Sequence, residues 1–293
     1  MELLDITRLA MALVVCSLAS YSDWKRREAS DLHWIVLGAA GLVFIAIDLA
    51  ARGADPLYYL FLFPIGFVFL DFFWDRKEMF EDGVHPLPIV LYALSILTIG
   101  TMIFLRGNEI LTWQLTAVIV MFAFFALLYW LNVIKGGADA KALIALSIVF
   151  PFYPIIGGLP LIHIPTELAS AVFPFSLLIL FNAALLSISI PVGLFLYNLA
   201  RGDVKFPAMM VGYRTSVDEA LRKFVWPMER AGNDKRLRYF PKEDDDEKKI
   251  LEELKQAGAG RIWVTPKIPF LIPITIGIVF SAVIGNIVML FLH

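Results

Sequence analysis

Long apolar segments alternate with short polar ones over most of this chain. Each apolar segment approaches or exceeds the roughly 20 residues that a helix needs to cross the hydrocarbon core of a bilayer. Eight predicted spans result, at about 4–22, 32–50, 57–74, 87–105, 112–134, 141–160, 168–200 and 268–292. We therefore predict an all-α polytopic membrane helical bundle, with the long seventh segment tilted, broken near Pro191 or extended beyond the bilayer.

The polar stretch 201–267 is the only sizeable soluble part of the chain. We expect residues 1–200 to form the membrane bundle, 201–267 a small helical cytosolic cap, and 268–293 the last transmembrane helix. Ser216 and Glu219 have the spacing of a capping box and predict the start of one helix in this cap. That helix would place four apolar residues on one side: Leu221, Phe224, Val225 and Met228. A second helix is predicted from about Glu243 to Gln256, ending at Gly258.

Composition agrees with a membrane protein. The 293 residues are 59% hydrophobic and 18% charged, with a mean hydropathy of +0.74. A net charge of −2 gives no reason to expect nucleic acid as a partner. The single cysteine, Cys16, excludes an intramolecular disulfide and a multi-cysteine zinc site, and the four histidines lack metal-ligand spacing. We therefore expect no metal and no cofactor.

Basic residues predict the orientation in the plasma membrane. Alternating ends of the eight spans carry 22 of the 25 Lys and Arg residues on one side and only Arg8, Arg52 and Arg106 on the other. Because basic residues accumulate on the cytosolic side, both termini are predicted to lie outside. Glu2 and Asp5 replace the positive start of a signal peptide, so we expect the first span to be retained. Asp23 and Asp139 then lie in the cytosolic leaflet.

The run from Gly136 to Lys141 is a candidate functional site, because it holds Asp139 at a membrane boundary. A carboxylate at the centre of a span costs roughly 2.5–3.5 kcal/mol, and less near its end. Two carboxyl groups sharing a proton can activate water, so Asp23 and Asp139 are candidates for an aspartic-protease dyad. Gly136 and Gly137 would allow close approach of another backbone. The helix dipole favours Asp139 as the more readily ionised partner.

Simpler roles compete with this interpretation. Both acids, and Lys141, could be polar anchors at the interface. Asp71 is the strongest rival as a catalytic acid, near the inner end of the third span. Asp48 and Arg52 are spaced for a helical ion pair at the outer boundary. Asp31 is predicted to be the N-cap of the second span.

Several runs of residues resemble the archaeal preflagellin and type IV prepilin peptidases, membrane aspartic proteases with a GxGD motif. The main ones are Asp23 to Asp31 and Gly136 to Lys141, where Ala138 replaces the last glycine of the motif. The resemblance continues at four places: Phe173 to Phe175 with Asn182, Phe206-Pro207, Gly212 to Arg214, and Val264 to Phe270.

This resemblance implies cleavage of short basic leader peptides from preflagellin or pilin-like precursors at the cytosolic membrane surface. Asp23 and Asp139 would be the acid pair, supported by Gly136, Gly137, Ala138 and Lys141. Four spans separate the two motifs, where the smaller archaeal enzymes lead us to expect two. Bacterial relatives that also methylate the new amino terminus carry paired cysteines, so a chain with only Cys16 should be a peptidase alone.

Three other functions remain open. A presenilin-like protease would cut inside a substrate span, whereas a leader peptidase cuts just before it. A secondary transporter could use Asp23, Asp71 and Asp139 as proton or cation ligands, although transport sites usually lie near the midplane. An inactive scaffold would retain the fold alone. The sequence does not predict the oligomeric state.

Overall fold

The computed structural model describes residues 1–73, 86–162, 167–231, 237–239 and 245–286. The chain divides into two compact units. One consists of Met1–Ala183 with Pro269–His293, and the other is Ala184–Ile268. The first unit contains the main hydrophobic core, and the second has two small cores of its own.

The first unit is helical. Its helices, of which α8 continues across the division, are α1 (Glu2–Arg26), α2 (Asp31–Ala51), a 3₁₀ helix (Pro56–Phe61), α3 (Leu62–Phe73), α4 (Pro86–Arg106), α5 (Ile110–Trp130), α6 (Gly137–Val149), α7 (Glu167–Val172), α8 (Phe175–Ser187) and, near the carboxyl end, α13 (Leu271–Val283).

Six helical stretches within the described residues are long and apolar enough to cross a membrane, which confirms the predicted all-α membrane bundle. They are Glu2–Arg26, Asp31–Ala51, Pro56–Phe73, Pro86–Arg106, Ile110–Trp130 and Phe175–Arg201. Each begins and ends within a few residues of its predicted span, apart from the seventh segment, whose helical stretch begins at Phe175 instead of 168. Residue 74 and residues 287–292 of the predicted spans lie outside the described part of the chain.

The sixth and seventh predicted segments differ in detail from the sequence pattern. α6 ends at Val149 although the apolar sequence continues to 160, because Pro151 and Pro154 follow and disfavour helical backbone before them. The seventh segment is interrupted at Ile188, where α8 gives way to α9 (Ser189–Arg201). Pro191 lies in the first turn of α9, so the structure shows one of the three alternatives expected for this segment, the break near Pro191.

Helix α6 is the most enclosed element of the first unit. All residues from Ala142 to Phe150 are buried, and α6 contacts α1, α2, α3, α5 and α13. Gly41 makes the approach of α2 possible, since a Cβ there would lie 2.9 Å from the backbone carbonyl carbon of Ile148 and from the backbone nitrogen of Val149. Small residues at such crossings let helices pack closely where lipid supplies no hydrophobic driving force.

Buried polar contacts fix α13 within the same unit. The hydroxyl groups of Ser20 on α1 and Thr275 on α13 lie 2.9 Å apart. The side-chain amide of Asn182 on α8 donates to the Ser281 hydroxyl at 2.8 Å. Inside a membrane bundle such hydrogen bonds hold helices in register.

The second unit combines helices with a three-stranded antiparallel sheet of order β1-β3-β2. Its elements after α9 are α10 (Ala208–Val211), β1 (Tyr213–Ser216), α11 (Val217–Ala220), β2 (Val225–Pro227), α12 (Glu247–Gln256) and β3 (Arg261–Pro266). The register pairs Tyr213 with Val264 and Val225 with Pro266. Alternation along β3 buries Ile262 and Val264 in one small core and Trp263 in the other.

The sheet was not predicted, and the expected helix through Phe224, Val225 and Met228 is wrong. Only one turn forms, α11, with the Ser216 hydroxyl accepting the Glu219 N–H at 3.2 Å as the capping signal predicts. The chain then enters β2, where Val225 pairs with β3 instead of continuing the helix. The second predicted helix is confirmed as α12: Asp246 caps its start and Gly258 follows its end with a φ of +74°. Glu243 lies outside the described residues.

The contact between α2 and α6 leads to a stability prediction. Replacing Gly41 by Ala should lower the stability of the bundle by about 1–3 kcal/mol, because the new methyl group meets backbone that cannot rotate away. The melting temperature of the detergent-solubilised protein measures the effect. Gly100→Ala on α4 is the control, since a Cβ there meets nothing within 4 Å. Equal melting temperatures for the two variants would contradict the close helix crossing.

Candidate active site

Two carboxylates from different helices come together at one end of the first unit. Asp23 lies in the last turn of α1 and is half-buried, whereas Asp139 lies in the first turn of α6 and is 8% exposed. The two helices are in contact. The side chains are close enough for the charge of Asp23 to act on Asp139. The structure therefore brings the two sequence candidates into electrostatic reach of one another.

The side chain of Asp139 folds back over Gly136. A Cβ at residue 136 would lie 2.2 Å from Asp139 Oδ2 and 2.9 Å from its Cγ, so only glycine leaves room for this carboxylate position. The Gly136 carbonyl accepts the N–H groups of Asp139 and Ala140 at 3.1 and 3.2 Å. Asp139 Oδ1 is buried, and no donor among the described residues reaches it. Burying a carboxylate oxygen without a donor costs free energy, so this arrangement needs an explanation.

The next two motif residues pack differently. A Cβ at Gly137 would make an ordinary 3.4 Å contact with the hydroxyl of Tyr129, at the end of α5. Ala138 is partly buried and packs against the main hydrophobic core. No sequence signal singles out Tyr129, because it is one of several aromatic residues near span ends.

Arg27 is a further neighbour of the acid pair. It follows α1 in the left-handed conformation, with a φ of 60°. Its charge interacts with that of Asp23. Partial burial lowers the pKa of the Arg27 guanidinium, an effect that Asp23 opposes, and arginine remains a cation in proteins. In the sequence this residue is notable only as one of the basic residues that predict the orientation.

Within the described part of the chain, Lys141 forms no hydrogen bond or ion pair with Asp23 or Asp139. Its ammonium group forms an ion pair with Asp31 at 2.5 Å and lies 5.3 Å from the centre of the Phe73 ring. Lys141 thus joins the amino-terminal ends of α6 and α2. The prediction that Asp31 caps α2 is wrong by one residue: the Ser30 hydroxyl accepts the Leu32 N–H, and Asp31 is the first helical residue.

Comparison with known proteins identifies the family. Residues 204–287 match the family described as Archaeal Peptidase A24 C-terminus Type II. A preflagellin peptidase of Methanocaldococcus jannaschii is 31% identical over 259 residues, which cover 86% of this chain and 93% of that protein. The chain belongs to the archaeal preflagellin peptidase family. This membership confirms the resemblance found in the sequence.

Two further relatives extend the comparison. A preflagellin peptidase of Methanococcus voltae is 28% identical over 182 residues, which cover 59% of this chain and 72% of that protein. An uncharacterised protein of Methanocaldococcus jannaschii is 25% identical over 266 residues, covering 88% of this chain and 85% of its own length.

Other residues that carry the family resemblance have structural roles here. The Asn182 amide bonds to α13, as described above, and also donates to the Gly285 carbonyl at 3.4 Å. At Gly212, just before β1, a Cβ would lie 2.5 Å from the Val264 carbonyl oxygen. This glycine therefore permits the close pairing of β1 with β3.

Asp71 is held within a pair of helices. It is buried on α3, and its Oδ2 accepts a short hydrogen bond from the hydroxyl of Tyr92 on α4. Tyr92 is therefore a partner of Asp71 that lies outside the acid pair. Asp75, which follows it in the sequence, lies outside the described residues.

Asp48 belongs to a buried charge cluster at the opposite end of α1 from Asp23. The predicted ion pair with Arg52 is confirmed at 3.9 Å, but the nearer partner is Arg8, whose guanidinium forms a short ion pair with Asp48. Arg8 also lies 3.5 Å from Asp5 and donates to the Phe44 carbonyl at 2.9 Å. Arg8 and Asp48 are almost completely buried.

Among the described residues, no group of three or more His, Cys, Asp or Glu side chains could hold a metal ion. Three of the four histidines, His85, His163 and His293, lie outside this part of the chain.

The buried cluster predicts a strong asymmetry between single and double variants. Arg8→Leu should destabilise the protein by about 3–5 kcal/mol, because it leaves Asp48 buried without its nearest cation. Adding Asp48→Leu should restore most of the loss. Thermal melting in detergent measures both variants. A double variant as unstable as Arg8→Leu alone would assign the loss to packing instead of charge.

Proposed function

We propose that this protein is a membrane aspartic endopeptidase that removes the short basic leader from preflagellin or pilin-like precursors. Two of the relatives reported above are named preflagellin peptidases. The distribution of Lys and Arg supports an active site facing the cytosol from the plasma membrane. The absence of paired cysteines from the sequence supports a peptidase without methyltransferase activity.

One observation carries the assignment of Asp23 and Asp139 as the catalytic pair. The two carboxyl groups come from different helices into electrostatic reach, and a buried oxygen of Asp139 has no donor among the described residues. Two carboxyl groups so placed do not both ionise readily, so one tends to keep a proton. A shared proton is the state that aspartic-protease chemistry requires.

The mechanism needs two roles from this pair. The ionised carboxylate acts as general base and removes a proton from the attacking water. The protonated carboxyl donates a hydrogen bond to the scissile carbonyl oxygen and so stabilises the negative charge that develops there. The proton that the base took from water then passes to the departing amine. No covalent intermediate forms between substrate and protein. The two groups titrate together, and site-resolved titration identifies which of them is the base and which the acid.

The surroundings suit a precursor with a basic leader and an apolar helix. The apolar helix of the precursor remains in the bilayer while the leader extends across the two carboxyl groups. Asp139 is enclosed, whereas Asp23 is half-buried at the end of a helix whose neighbouring Tyr21 and Trp24 are exposed. We propose that substrate enters past Asp23 and reaches Asp139 second.

The competing functions differ from this proposal in specific ways. A presenilin-like protease would use the same pair but cut within the substrate span. A transporter using Asp71 as a third ligand is disfavoured, because Asp71 already accepts a hydrogen bond from Tyr92. Membership in a peptidase family also argues against a transporter. An inactive scaffold would be recognised by a complete lack of cleavage in the wild type.

Asparagine substitutions test the catalytic pair directly. Asp23→Asn or Asp139→Asn should abolish leader removal from a co-expressed preflagellin, because an amide can neither act as the general base nor carry the proton that the two carboxyl groups share. Asp71→Asn is the matched control, since it also changes a buried carboxylate to an amide and should retain cleavage. Immunoblots measure the shift in precursor size, and membrane levels of each variant show that it accumulates.

Mass spectrometry of the product distinguishes the alternatives. We expect a new amino terminus just before the hydrophobic stretch of the substrate, without an added methyl group. Cleavage that survives Asp23→Asn or Asp139→Asn would disprove the pair, and loss confined to Asp71→Asn would transfer the role to that residue. A product beginning inside the substrate span would favour the presenilin-like activity.

The two glycines of the motif should differ in their tolerance. Gly136→Ala should reduce cleavage by at least tenfold, because the new methyl group occupies the position of the Asp139 carboxylate. Gly137→Ala should be much milder, since its methyl group makes only an ordinary contact with the Tyr129 hydroxyl. Cleavage rates at equal protein levels measure this difference. Equal loss in both variants would mean that the glycines are needed for backbone conformation or substrate approach and not for the position of Asp139.

A further inference from the structure

A short loop of the second unit holds two apolar side chains out into the surroundings. Residues 202–207, which we call the contact loop, connect α9 with α10. Val204 is 65% exposed and Phe206 is 74% exposed. A flexible loop could bury such side chains by rearranging. They stay exposed only if other contacts hold the loop in place.

Polar contacts fix the contact loop on both sides. Gly202 ends α9 with a φ of 72° and donates its N–H to the last turn of that helix. Asp203 is 8% exposed, and its carboxylate accepts a 2.7 Å hydrogen bond from Arg261 on β3 and lies 3.8 Å from Arg214 on β1. After the loop, Ala208 and Met209 are buried in a small core with Met228 and Trp263.

Asn198 links the helix before the contact loop directly to the residues after it. Its side chain is buried in α9, and its amide nitrogen donates to the carbonyls of Met209 and Gly212 at 2.9 and 2.7 Å. The contact loop is therefore anchored to α9, to α10 and to the sheet. Val204 and Phe206 are exposed because the fold directs them outward.

The position of the loop indicates what covers these side chains. The apolar stretch Phe175–Arg201 is long enough to cross a membrane, and Val204 and Phe206 follow its end by only three and five residues. Val192, Leu196 and Leu199 are exposed at helical spacing along α9 and form an apolar stripe that leads towards the loop. The loop thus continues the surface expected to face lipid.

Charge and aromatic residues at the end of α9 are those of a membrane interface. The Arg201 guanidinium lies 4.8 Å from the centre of the Tyr197 ring, and Lys205 stands exposed between Val204 and Phe206. Tyr and Trp are enriched where a span meets the headgroups, and Lys and Arg reach from there to anionic phosphates. Asp203, the only acid in the loop, is already paired with two arginines.

We propose that the contact loop is an interfacial membrane anchor, in which Val204 and Phe206 enter the headgroup region of a lipid bilayer and Arg201 and Lys205 face its phosphates. The ligand is a lipid surface containing anionic headgroups. This proposal does not depend on the peptidase activity. Since Asp203 joins the loop to β1 and β3, the anchor fixes the sheet of the second unit at the membrane surface.

A site-specific fluorescence experiment on the full-length protein tests the anchor. Cys16 is the only cysteine and is buried, so a Cys16→Ala background allows one new cysteine to be labelled. Phe206→Cys and Val204→Cys carry an environment-sensitive fluorophore in the loop. Glu252→Cys, on the exposed charged face of α12, is the matched control. The proteins are placed in phosphatidylcholine nanodiscs with and without phosphatidylglycerol.

The lipid carries a nitroxide just below its headgroup. We expect this nitroxide to quench the fluorophore several-fold more strongly at both loop positions than at Glu252→Cys. Phosphatidylglycerol should increase this quenching. Equal quenching at loop and control positions would overturn the proposal, as would stronger quenching by a nitroxide at the end of the acyl chain. If the loop fluorophores report an apolar environment only after a precursor protein is added, the surface binds substrate instead of lipid.

Discussion

The enclosure of α6 is the constraint on which the rest of the first unit depends. A helix buried on all sides needs neighbours around its whole circumference. Helices α1, α2, α3, α5 and α13 supply them, and Gly41 brings α2 into contact with the α6 backbone. In lipid this packing depends on close fit and buried polar bonds more than on the hydrophobic effect. A tightly held α6 fixes its first turn, and therefore the position of Asp139 beside the end of α1.

Buried acids in this bundle fall into two groups that differ in their partners. Asp48 has Arg8, and Asp71 accepts a bond from Tyr92, so the cost of placing each carboxylate in the bundle is offset locally. Asp139 has instead a second acid within electrostatic reach and no ion pair among the described residues. Structural acids are stabilised by their surroundings, whereas Asp139 is placed in surroundings that do not stabilise its charge. This contrast separates the proposed catalytic acid from the others better than burial does.

The sequence predicts the long helices well because hydropathy over about 20 residues is a strong signal. It fails where local chemistry competes with that signal. Prolines end α6 at Val149 although apolar residues continue, and the three-residue strand β2 is too short to show alternation. Asp23 and Asp139 could be singled out from charge and position. The folding of Asp139 over Gly136, and the proximity of Arg27 and Tyr129, depend on side-chain geometry that no one-dimensional pattern records.

Four spans separate the two motifs in the sequence, but in the fold they do not keep Asp23 and Asp139 apart. Helix α2 follows α1 directly and packs against α6, so the two motifs are brought together by the first, second and sixth helices. Helix α4 lies at the periphery, because only Ser95 and Met102 of its side chains are buried. A helix that contributes so little to the core can be accommodated without changing how α1, α2 and α6 meet. The spacing between Asp23 and Asp139 in the sequence therefore places no limit on their approach in space.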